Sequence, residues 1–252
     1  ATVRLLLNAS LGASTMKPPQ PGMTVDERYA LTELLGEEQG AILFLAQDVL
    51  LGTVVIFRHL KGSVFAQDVR SQNLLQLQRS RAFVHQRIVA IQDVVCKPDM
   101  SYVVTDHVEG LALEAFVEEH GAQELGQVAT FLADLDDALT WVHQIAECGR
   151  LHPGNVYLHD GRMKLGEPYY LRVRDSEGLP WKKFLSPEQE TAEWTHGKPA
   201  DIYAGAMLAA YLLLGREPKP GVGLSEQGAE SSTRLDSAFM GATDRNPQTR
   251  SS

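Results

Sequence analysis

The sequence predicts an α+β protein with two lobes, a smaller antiparallel β lobe that carries one helix and a larger lobe that is mainly helical. Two observations support this prediction. Between residues 29 and 108, apolar runs rich in β-branched residues alternate with turns of Gly, Pro and polar residues. From residue 109 onward, apolar residues recur at helical spacing instead. We therefore divide the chain into an N-terminal extension (1–28), a first lobe with its connecting segment (29–108) and a second lobe (109–252).

The first lobe is predicted to contain five strands and one helix. Three strands separated by short turns favour an antiparallel meander, namely "RYALTELL", "AILFLAQDV" and "GTVVIFRHL". Next, "SVFAQDVRSQNLLQLQRSRAF" places Val69, Leu74 and Leu77 at helical intervals. Two further strands, "RIVAIQDVV" and "SYVVTDHV", flank the turn "CKPDM". The preceding "MKPPQPGM" is too rich in Pro for a helix or a central strand, so it is assigned to the extension.

The second lobe is predicted to contain three helices and a hairpin. The helix "LEAFVEEHG" ends at Gly121, a typical C-terminal cap, and the helix "ELGQVATFLADLDDALTWVHQIAE" has one apolar face. The dipeptide Asp160-Gly161 between "NVYLH" and "RMKLG" indicates a two-residue hairpin. A helix that is apolar nearly all round, "ADIYAGAMLAAYLLLG", is predicted to be buried and to end at Gly215. The tail from Arg216 is predicted to be loop with weak helical character.

Composition excludes several classes of function. The chain of 252 residues has a net charge of −9 and no basic run, so we expect no nucleic acid partner. No apolar run reaches about 20 residues, so this segment is not expected to enter a membrane. Its two cysteines suggest neither a disulfide framework nor a zinc site. We expect a cytoplasmic setting, either as a separate protein or as the cytosolic domain of a larger membrane protein.

Five segments carry a family resemblance, and in chain order they are "YVVTDHVEG", "LHPGNVYL", "FLSPEQ", "KPADIYAGAMLAAYLLLGREP" and "DRNPQTR". Together they resemble the eukaryotic-like protein kinase family in its bacterial Ser/Thr form. The resemblance extends over residues 29–250. It implies the two-lobed protein kinase fold, with a connection between the lobes at residues 106–108.

The resemblance also assigns roles to individual residues. Thr105 would be the gatekeeper, and Asp106 and Val108 would belong to the hinge that contacts a nucleotide. His152 and Asn155, at the end of the catalytic loop, would be further nucleotide contacts. Three residues would be structural: Glu188 would pair with Arg250, and Asp201 would begin the buried helix.

The residues that perform the family's chemistry are replaced. Phe57 stands where the family has the Lys that binds phosphates, and Arg150 stands where it has the Asp that orients the substrate hydroxyl. An Arg stays protonated and cannot accept a proton. Glu167 stands where the family has a metal-binding Asp. Glu37 and Glu38 in the glycine-rich loop would repel a triphosphate.

These replacements predict a catalytically inactive pseudokinase, a regulatory or protein-interaction module rather than an enzyme. The prediction includes no catalytic residue, no metal and no cofactor, with ATP binding absent or weak. The partner would be a protein of unknown identity, and the segment could be part of a larger protein.

Two alternatives remain open. In the first, the chain is an atypical active kinase in which Lys61 or Arg58 replaces the strand Lys, Glu167 binds metal, and Glu147 or Asp160 acts as the base. In the second, the chain is a nucleotide sensor that uses no metal and binds ATP through Asn155, His152 and the hinge backbone.

The segment that replaces the family's activation loop is locally basic. It contains Arg172, Arg174, Lys182 and Lys183 near Trp181. Such a segment could bind an acidic or phosphorylated partner. Solvated charge around a Trp that packs underneath is the interpretation we give more weight.

Overall fold

The computed structural model describes residues 18–38, 40–82, 84–97, 100–145, 148, 151–167, 181–190 and 197–250. These residues form two compact units. The first unit contains the residues up to 84 together with 89–108, and the second contains residues 85–88 and those from 109 onward. Within the described ranges, each helix is too short or too polar to cross a lipid bilayer.

The first unit is built on a six-stranded antiparallel sheet. Its strands are β1 (Thr24–Val25), β2 (Tyr29–Glu38), β3 (Ala41–Asp48), β4 (Thr53–Leu60), β5 (Ile91–Cys96) and β6 (Ser101–Asp106). Their spatial order is β1-β2-β3-β4-β6-β5. The predicted meander is present as β2 to β4. The strand β1 was not predicted, and Val25 packs in the core beside Tyr29, so the end of the predicted extension belongs to this sheet.

The first unit also contains helix α1 (Arg70–Ser80), which is shorter than the segment predicted for it. A 3₁₀ turn at Gly62–Phe65 precedes the helix, and the Nδ2 of Asn73 donates a hydrogen bond of 2.6 Å to the carbonyl of Val64. This bond ties the first turns of α1 to the 3₁₀ turn. Leu77 is buried, as the helical spacing suggested.

The second unit is built mainly of helices. They are α2 (Leu113–His120), α3 (Leu125–Val142), α4 (Lys198–Leu214) and α5 (Thr233–Ala242). The predicted ends of α2 and α4 are confirmed, since Gly121 and Gly215 both have a positive φ, of 67° and 62°. α5 is better defined than predicted, because the Ser232 hydroxyl accepts a hydrogen bond from the Leu235 N–H and caps the helix.

A small sheet accompanies these helices. It consists of β7 (Leu111–Ala112), β8 (Val156–His159) and β9 (Arg162–Leu165), which pair antiparallel in this order. The turn between β8 and β9 has positive φ at Asp160 (48°) and Gly161 (71°), the geometry of a two-residue hairpin. The hairpin predicted from this dipeptide is confirmed.

A buried carboxylate connects this hairpin to α3. Asp134 is 4% exposed and accepts two hydrogen bonds from the guanidinium of Arg162, of 2.6 and 2.9 Å. The Nε of Arg87 lies 3.2 Å from the same carboxylate. The segment 85–88 and β9 are therefore held on α3 by one acidic side chain, which sequence reasoning did not single out.

Candidate functional site

The Phe57 ring lies in the core of the first unit. The residue is fully buried, and its ring centroid is 4.6 Å from that of Tyr102 and 5.9 Å from that of Tyr29. Phe44, which is opposite Phe57 on β3, belongs to the same cluster. The Phe57 side chain therefore fills the hydrophobic core of the first unit.

Thr105, the predicted gatekeeper, lies on the other face of the sheet. In the β4–β6 register, Ile56 is opposite Thr105 and Arg58 is opposite Val103. Residues opposite each other share a face, and side chains alternate along a strand, so Arg58 and Thr105 lie on one face and Phe57 on the other. The alignment that put Phe57 at the Lys position is therefore displaced by one residue relative to the gatekeeper.

Arg58 is a buried cation with an acidic partner. It is 7% exposed, and its Nη1 donates a hydrogen bond of 2.5 Å to the Oε2 of Glu38. Lys61 follows β4 and pairs with Glu37 at 2.6 Å, and the two side chains are 36% and 62% exposed. The two carboxylates predicted to repel phosphate are thus bound to cations of the same unit.

Asp106, one of the predicted hinge residues, makes hydrogen bonds within the first unit through both its backbone and its side chain. The Asp106 N–H donates to the carbonyl of Ala90 at 3.0 Å, and its Oδ1 accepts a bond of 2.5 Å from Gln92. Thr105 is buried, whereas Val108 is half-buried in irregular backbone. The N–H and the side chain of Asp106 are therefore engaged in hydrogen bonds with neighbouring residues of the same unit.

In the second unit, Asn155 holds the backbone of Glu167. Its Nδ2 donates to the Glu167 carbonyl at 3.0 Å, and its Oδ1 accepts the Glu167 N–H at 3.1 Å. Both residues are 4% exposed. Gly166 permits this approach, because a Cβ built there would lie 2.1 Å from the Asn155 Oδ1. These two hydrogen bonds fix the Glu167 backbone, and so they fix the point from which its carboxylate side chain extends.

His152 is stacked on an indole. Its ring lies 4.7 Å from that of Trp181 with an interplanar angle of 10°, and the residue is 5% exposed. One face of the imidazole is therefore covered within the second unit. Trp181 was expected to pack beneath the basic segment, and its contact with His152 could not be read from the sequence.

The residues assigned structural roles make buried polar contacts. Arg250 donates two hydrogen bonds to the Glu188 carboxylate, of 2.5 and 2.9 Å. Although burial raises the pKa of Glu188, the hydrogen bond from Arg250 holds it below its ordinary value. The Asp201 carboxylate lies 2.8 Å from the Nε2 of His143, at the end of α3. These contacts join α4 to its neighbours.

The groups considered as the base are not brought together. Arg150 and Glu147 lie outside the described residues. Asp160 has a side chain that is 89% exposed and sits at the tip of the β8–β9 hairpin. Four residues of β8 separate it from Asn155, a distance along the strand of about 16 Å. The tip of a hairpin is a turn position, and it accounts for this Asp without a catalytic role.

Each unit offers one group of chemical interest: the first unit has a cation that suits phosphate, and the second has a carboxylate that suits a metal ion. Arg58 is a cation of the kind that binds phosphate oxygens. The Glu167 carboxylate is a hard oxygen ligand of the kind that Mg²⁺ prefers. Among the residues that the structure describes, no group of three His, Cys, Asp or Glu side chains is placed to hold a metal ion. A metal here would therefore depend on Glu167 together with oxygens from a bound phosphate.

The fold and these positions define a domain of the protein kinase class. The chain resembles the crystal structure of the Mycobacterium tuberculosis PknI kinase domain, with a TM-score of 0.75 and 20% identity over 93% of this chain and 94% of that one. The crystal structure of a mutant of the same domain gives a TM-score of 0.76. The predicted two-lobed α+β kinase fold is confirmed.

Several bacterial protein kinases are similar to this chain in sequence. Serine/threonine-protein kinase PrkC of Bacillus subtilis is 25% identical over 211 residues, which cover 79% of this chain and 32% of the relative. A probable serine/threonine-protein kinase of Corynebacterium efficiens is 28% identical over 78% of this chain and 32% of its own length. The chain is thus similar in sequence to bacterial Ser/Thr protein kinases. No family model matches it, and it spans about a third of these relatives.

These relatives correct one prediction. The sequence led us to expect that the chain is not an enzyme, and that expectation is wrong. The relatives are named protein kinases, and they point to a kinase enzyme. One of the replacements behind that expectation, the loss of the strand cation, is offset in β4, because Arg58 lies on the same face of the sheet as Thr105.

Proposed function

We propose that this domain is an atypical protein kinase that transfers a phosphoryl group from ATP with reassigned groups, at a low rate, and that its main role is regulatory, through a protein partner. The kinase relatives support the reaction class. The single observation that carries the proposal is the buried Arg58 on the same face of the sheet as the gatekeeper Thr105.

Arg58 would bind the phosphates in place of the family's Lys. A guanidinium remains charged at any working pH and presents several donors to phosphate oxygens. Glu38 would act on it as the family's helix carboxylate acts on the Lys, holding the cation in one orientation through the bond of 2.5 Å. The acid comes from β2 instead of α1, because the described part of α1 offers Gln and Asn but no Glu.

Glu167 would hold the metal ion, and Asn155 would position Glu167. The ion, when bound, neutralises the charge that develops on the transferred phosphoryl group. The two hydrogen bonds between the Asn155 side chain and the Glu167 backbone fix the point from which the carboxylate side chain extends. As a consequence, both polar atoms of the Asn155 amide are engaged in holding the Glu167 backbone.

A low rate follows from the residue composition of the catalytic loop. A positioned base contributes roughly 10²–10⁴-fold to proton transfer. The family's Asp is replaced by Arg150, which cannot accept a proton. A protein that keeps the phosphate cation but lacks this base would transfer phosphate slowly enough for its interactions to dominate its role.

The proposal is tested by a phosphotransfer assay with radiolabelled ATP, Mg²⁺ and a generic Ser/Thr protein substrate. Arg58→Gln should lower the rate at least 100-fold, whereas Arg58→Lys, which restores the family's cation, should retain it. Lys61→Gln removes an exposed cation paired to Glu37 and should change the rate less than 2-fold. Transfer that survives in Arg58→Gln, or that is lost equally in Lys61→Gln, contradicts the assignment. Circular dichroism of each variant excludes unfolding as the cause.

A second candidate is the nucleotide sensor that uses no metal. One observation favours it: the Asn155 amide, which the family uses for a metal, is engaged by the Glu167 backbone through both of its polar atoms. A sensor would bind ATP equally well with Mg²⁺ and with EDTA and would transfer no phosphate. The atypical kinase would bind ATP more tightly with Mg²⁺ than with EDTA and would require the metal for transfer.

We further propose a cytoplasmic location for the domain. Cys96, which is half-buried on β5, is a thiol. A partly accessible thiol is typical of a reducing compartment, where ATP is also available. Alkylation of intact cells expressing the full-length protein with a membrane-impermeant thiol reagent, compared with lysed cells, tests this location.

A further inference from the structure

A cavity of about 900 Å³ lies in the second unit, in a part of it that contains none of the candidate site residues. Its walls come from the 3₁₀ turn at Lys182–Phe184, from α4, from the loop at Pro220 and from the end of α5. A volume of this size is at the upper end of what small-molecule pockets have, and it suits an extended segment.

The rim of the cavity is cationic. Lys182, Lys183 and Arg245 line it, against the single carboxylate of Asp244. Lys183 is 2.5 Å from Glu217, while the Asp244 Oδ1 accepts the Asn246 N–H at 2.7 Å. Lys182 and Arg245 are both exposed. A concentration of positive charge stands out in a chain whose net charge is −9.

The floor of the cavity is apolar. Leu185 and Tyr203 are buried beneath it, and Met240 is 43% exposed beside them. The guanidinium of Arg250 lies over the Tyr203 ring, 5.0 Å from the ring centroid. A methionine is a flexible apolar side chain that adapts to the shape of a partner. The floor therefore accepts an apolar side chain between charged neighbours.

The walls of the cavity are tied together without a ligand. The Thr243 hydroxyl accepts the Gly221 N–H at 3.1 Å and donates to the Phe239 carbonyl at 2.8 Å, and Thr243 is 3% exposed. The Leu185 N–H bonds the Lys182 carbonyl at 3.0 Å. A preformed cavity lowers the ordering cost of binding.

We propose that this cavity binds an acidic peptide segment of a protein partner, with carboxylates against Lys182 and Arg245 and an apolar side chain against Met240. Charge complementarity and the apolar floor select this occupant: an inorganic anion would leave the floor uncovered, and a neutral apolar segment would leave the cations unmatched. The inference names the partner chemistry for the regulatory role proposed above. It does not depend on Arg58 or Glu167.

The test uses two labelled peptides, EELEEF and its uncharged counterpart QQLQQF, titrated by fluorescence anisotropy. The purified domain should bind the acidic peptide at least 10-fold more tightly at 50 mM salt, and this preference should shrink at 500 mM salt. The double variant Lys182→Gln, Arg245→Gln should bind the acidic peptide at least 10-fold more weakly than the native domain. Equal binding of both peptides would overturn the proposal.

A matched control separates the site from general charge. The double variant Lys219→Gln, Arg234→Gln removes the same two kinds of cation from exposed positions of the second unit outside the cavity. It should bind within 2-fold of the native domain, and a loss equal to that of the cavity variant would also overturn the proposal. Phosphotransfer measured on the cavity variant should equal the native rate, so that a failure of peptide binding and a failure of the kinase proposal are distinguishable.

Discussion

Arg250 carries a buried charge in the second unit. Its side chain has no exposed surface, and it donates to the Glu188 carboxylate and to the carbonyls of Pro199 and Asp244. Removing one partner of a buried ion pair leaves the other charge uncompensated. Arg250→Met should therefore lower the free energy of unfolding by about 3–5 kcal/mol, measured by urea denaturation.

The control for this prediction is Arg245→Met, which removes an exposed Arg from the same loop and should cost less than about 0.5 kcal/mol. The double variant Arg250→Met, Glu188→Gln removes both charges. It should recover part of the loss, because no carboxylate is left without its cation. A double variant as unstable as the sum of the two single variants would contradict this account.

Asp48 makes folding sensitive to acid. It is 1% exposed and accepts hydrogen bonds from Arg28 and from the N–H groups of Leu50 and Leu51. The bond from Arg28 is the largest cause of a pKa below the ordinary value of 3.8, and burial opposes it. Because the folded pKa is the lower one, the stabilisation is present above about pH 3.8 and is lost as the pH falls through the folded pKa.

The prediction is a difference between two proteins. Native stability should fall as the pH drops below about 4, while Asp48→Asn should be less stable at neutral pH and should lose less on acidification. Urea midpoints at several pH values from 3 to 7 measure both. Parallel curves for the two proteins would show that Asp48 does not contribute to the acid sensitivity.

At the scale of residues, the sequence predicts some partners and misses others. Glu188 and Arg250 lie in short motifs of their own, and the structure joins them. Arg58 was misjudged because side chains alternate along a strand, so an alignment displaced by one residue exchanges its two faces. Only the pairing of β4 with β6 shows which face Thr105 occupies. Asp134 was missed because neither it nor its partner Arg162 lies in one of the five segments that carry the resemblance.

Among the secondary-structure elements, the end of α4 gives the sharpest test. Gly215 has a φ of 62°, and a Cβ built on it would lie 2.5 Å from the backbone nitrogen of Ala122. An alanine there would suffer both left-handed strain and a clash with backbone that cannot rotate away. Gly215→Ala should cost more than about 2 kcal/mol, by urea denaturation.

Gly52 supplies the matched control, because its φ is 71° and a Cβ there would meet nothing within 4 Å. Gly52→Ala carries the conformational strain alone and should cost about 1–2 kcal/mol. Two equal losses would mean that the contact between the end of α4 and Ala122 has no energetic weight.

Elements with strong local signals were predicted well, and those with weak signals were not. The apolar α4, the Asp160-Gly161 hairpin and the meander each follow from a short pattern. β1 has two residues, too few for any alternation, and it exists because β2 offers it a pairing edge. α5 lies in a stretch rich in Gly and Ser, and the cap at Ser232 defines it more than its composition does.

At the scale of the whole molecule, the chain combines an overall negative charge with two local concentrations of cations that serve opposite purposes. Arg58 is buried and paired with Glu38, so it can bind phosphate only if that pairing orients it. Lys182 and Arg245 are exposed at the rim of a cavity, where the proposed acidic segment would contact them. The fold could be predicted from five motifs. The difference between the buried Arg58 and the exposed Lys182 and Arg245 could be recognised only from the sheet register and from the burial of each side chain.

Ligand binding to the whole domain should raise its thermal midpoint, because a ligand that binds only the folded state stabilises it by about 2.7 kcal/mol at 100 times its dissociation constant. We expect a rise with millimolar ATP and Mg²⁺, and a smaller rise with ATP and EDTA. Glu167→Gln should remove the difference between these two conditions, and Arg58→Gln should remove both rises. Equal rises with Mg²⁺ and EDTA would favour the metal-free sensor. No rise under either condition would contradict nucleotide binding by this domain and leave the cationic cavity as its principal binding surface.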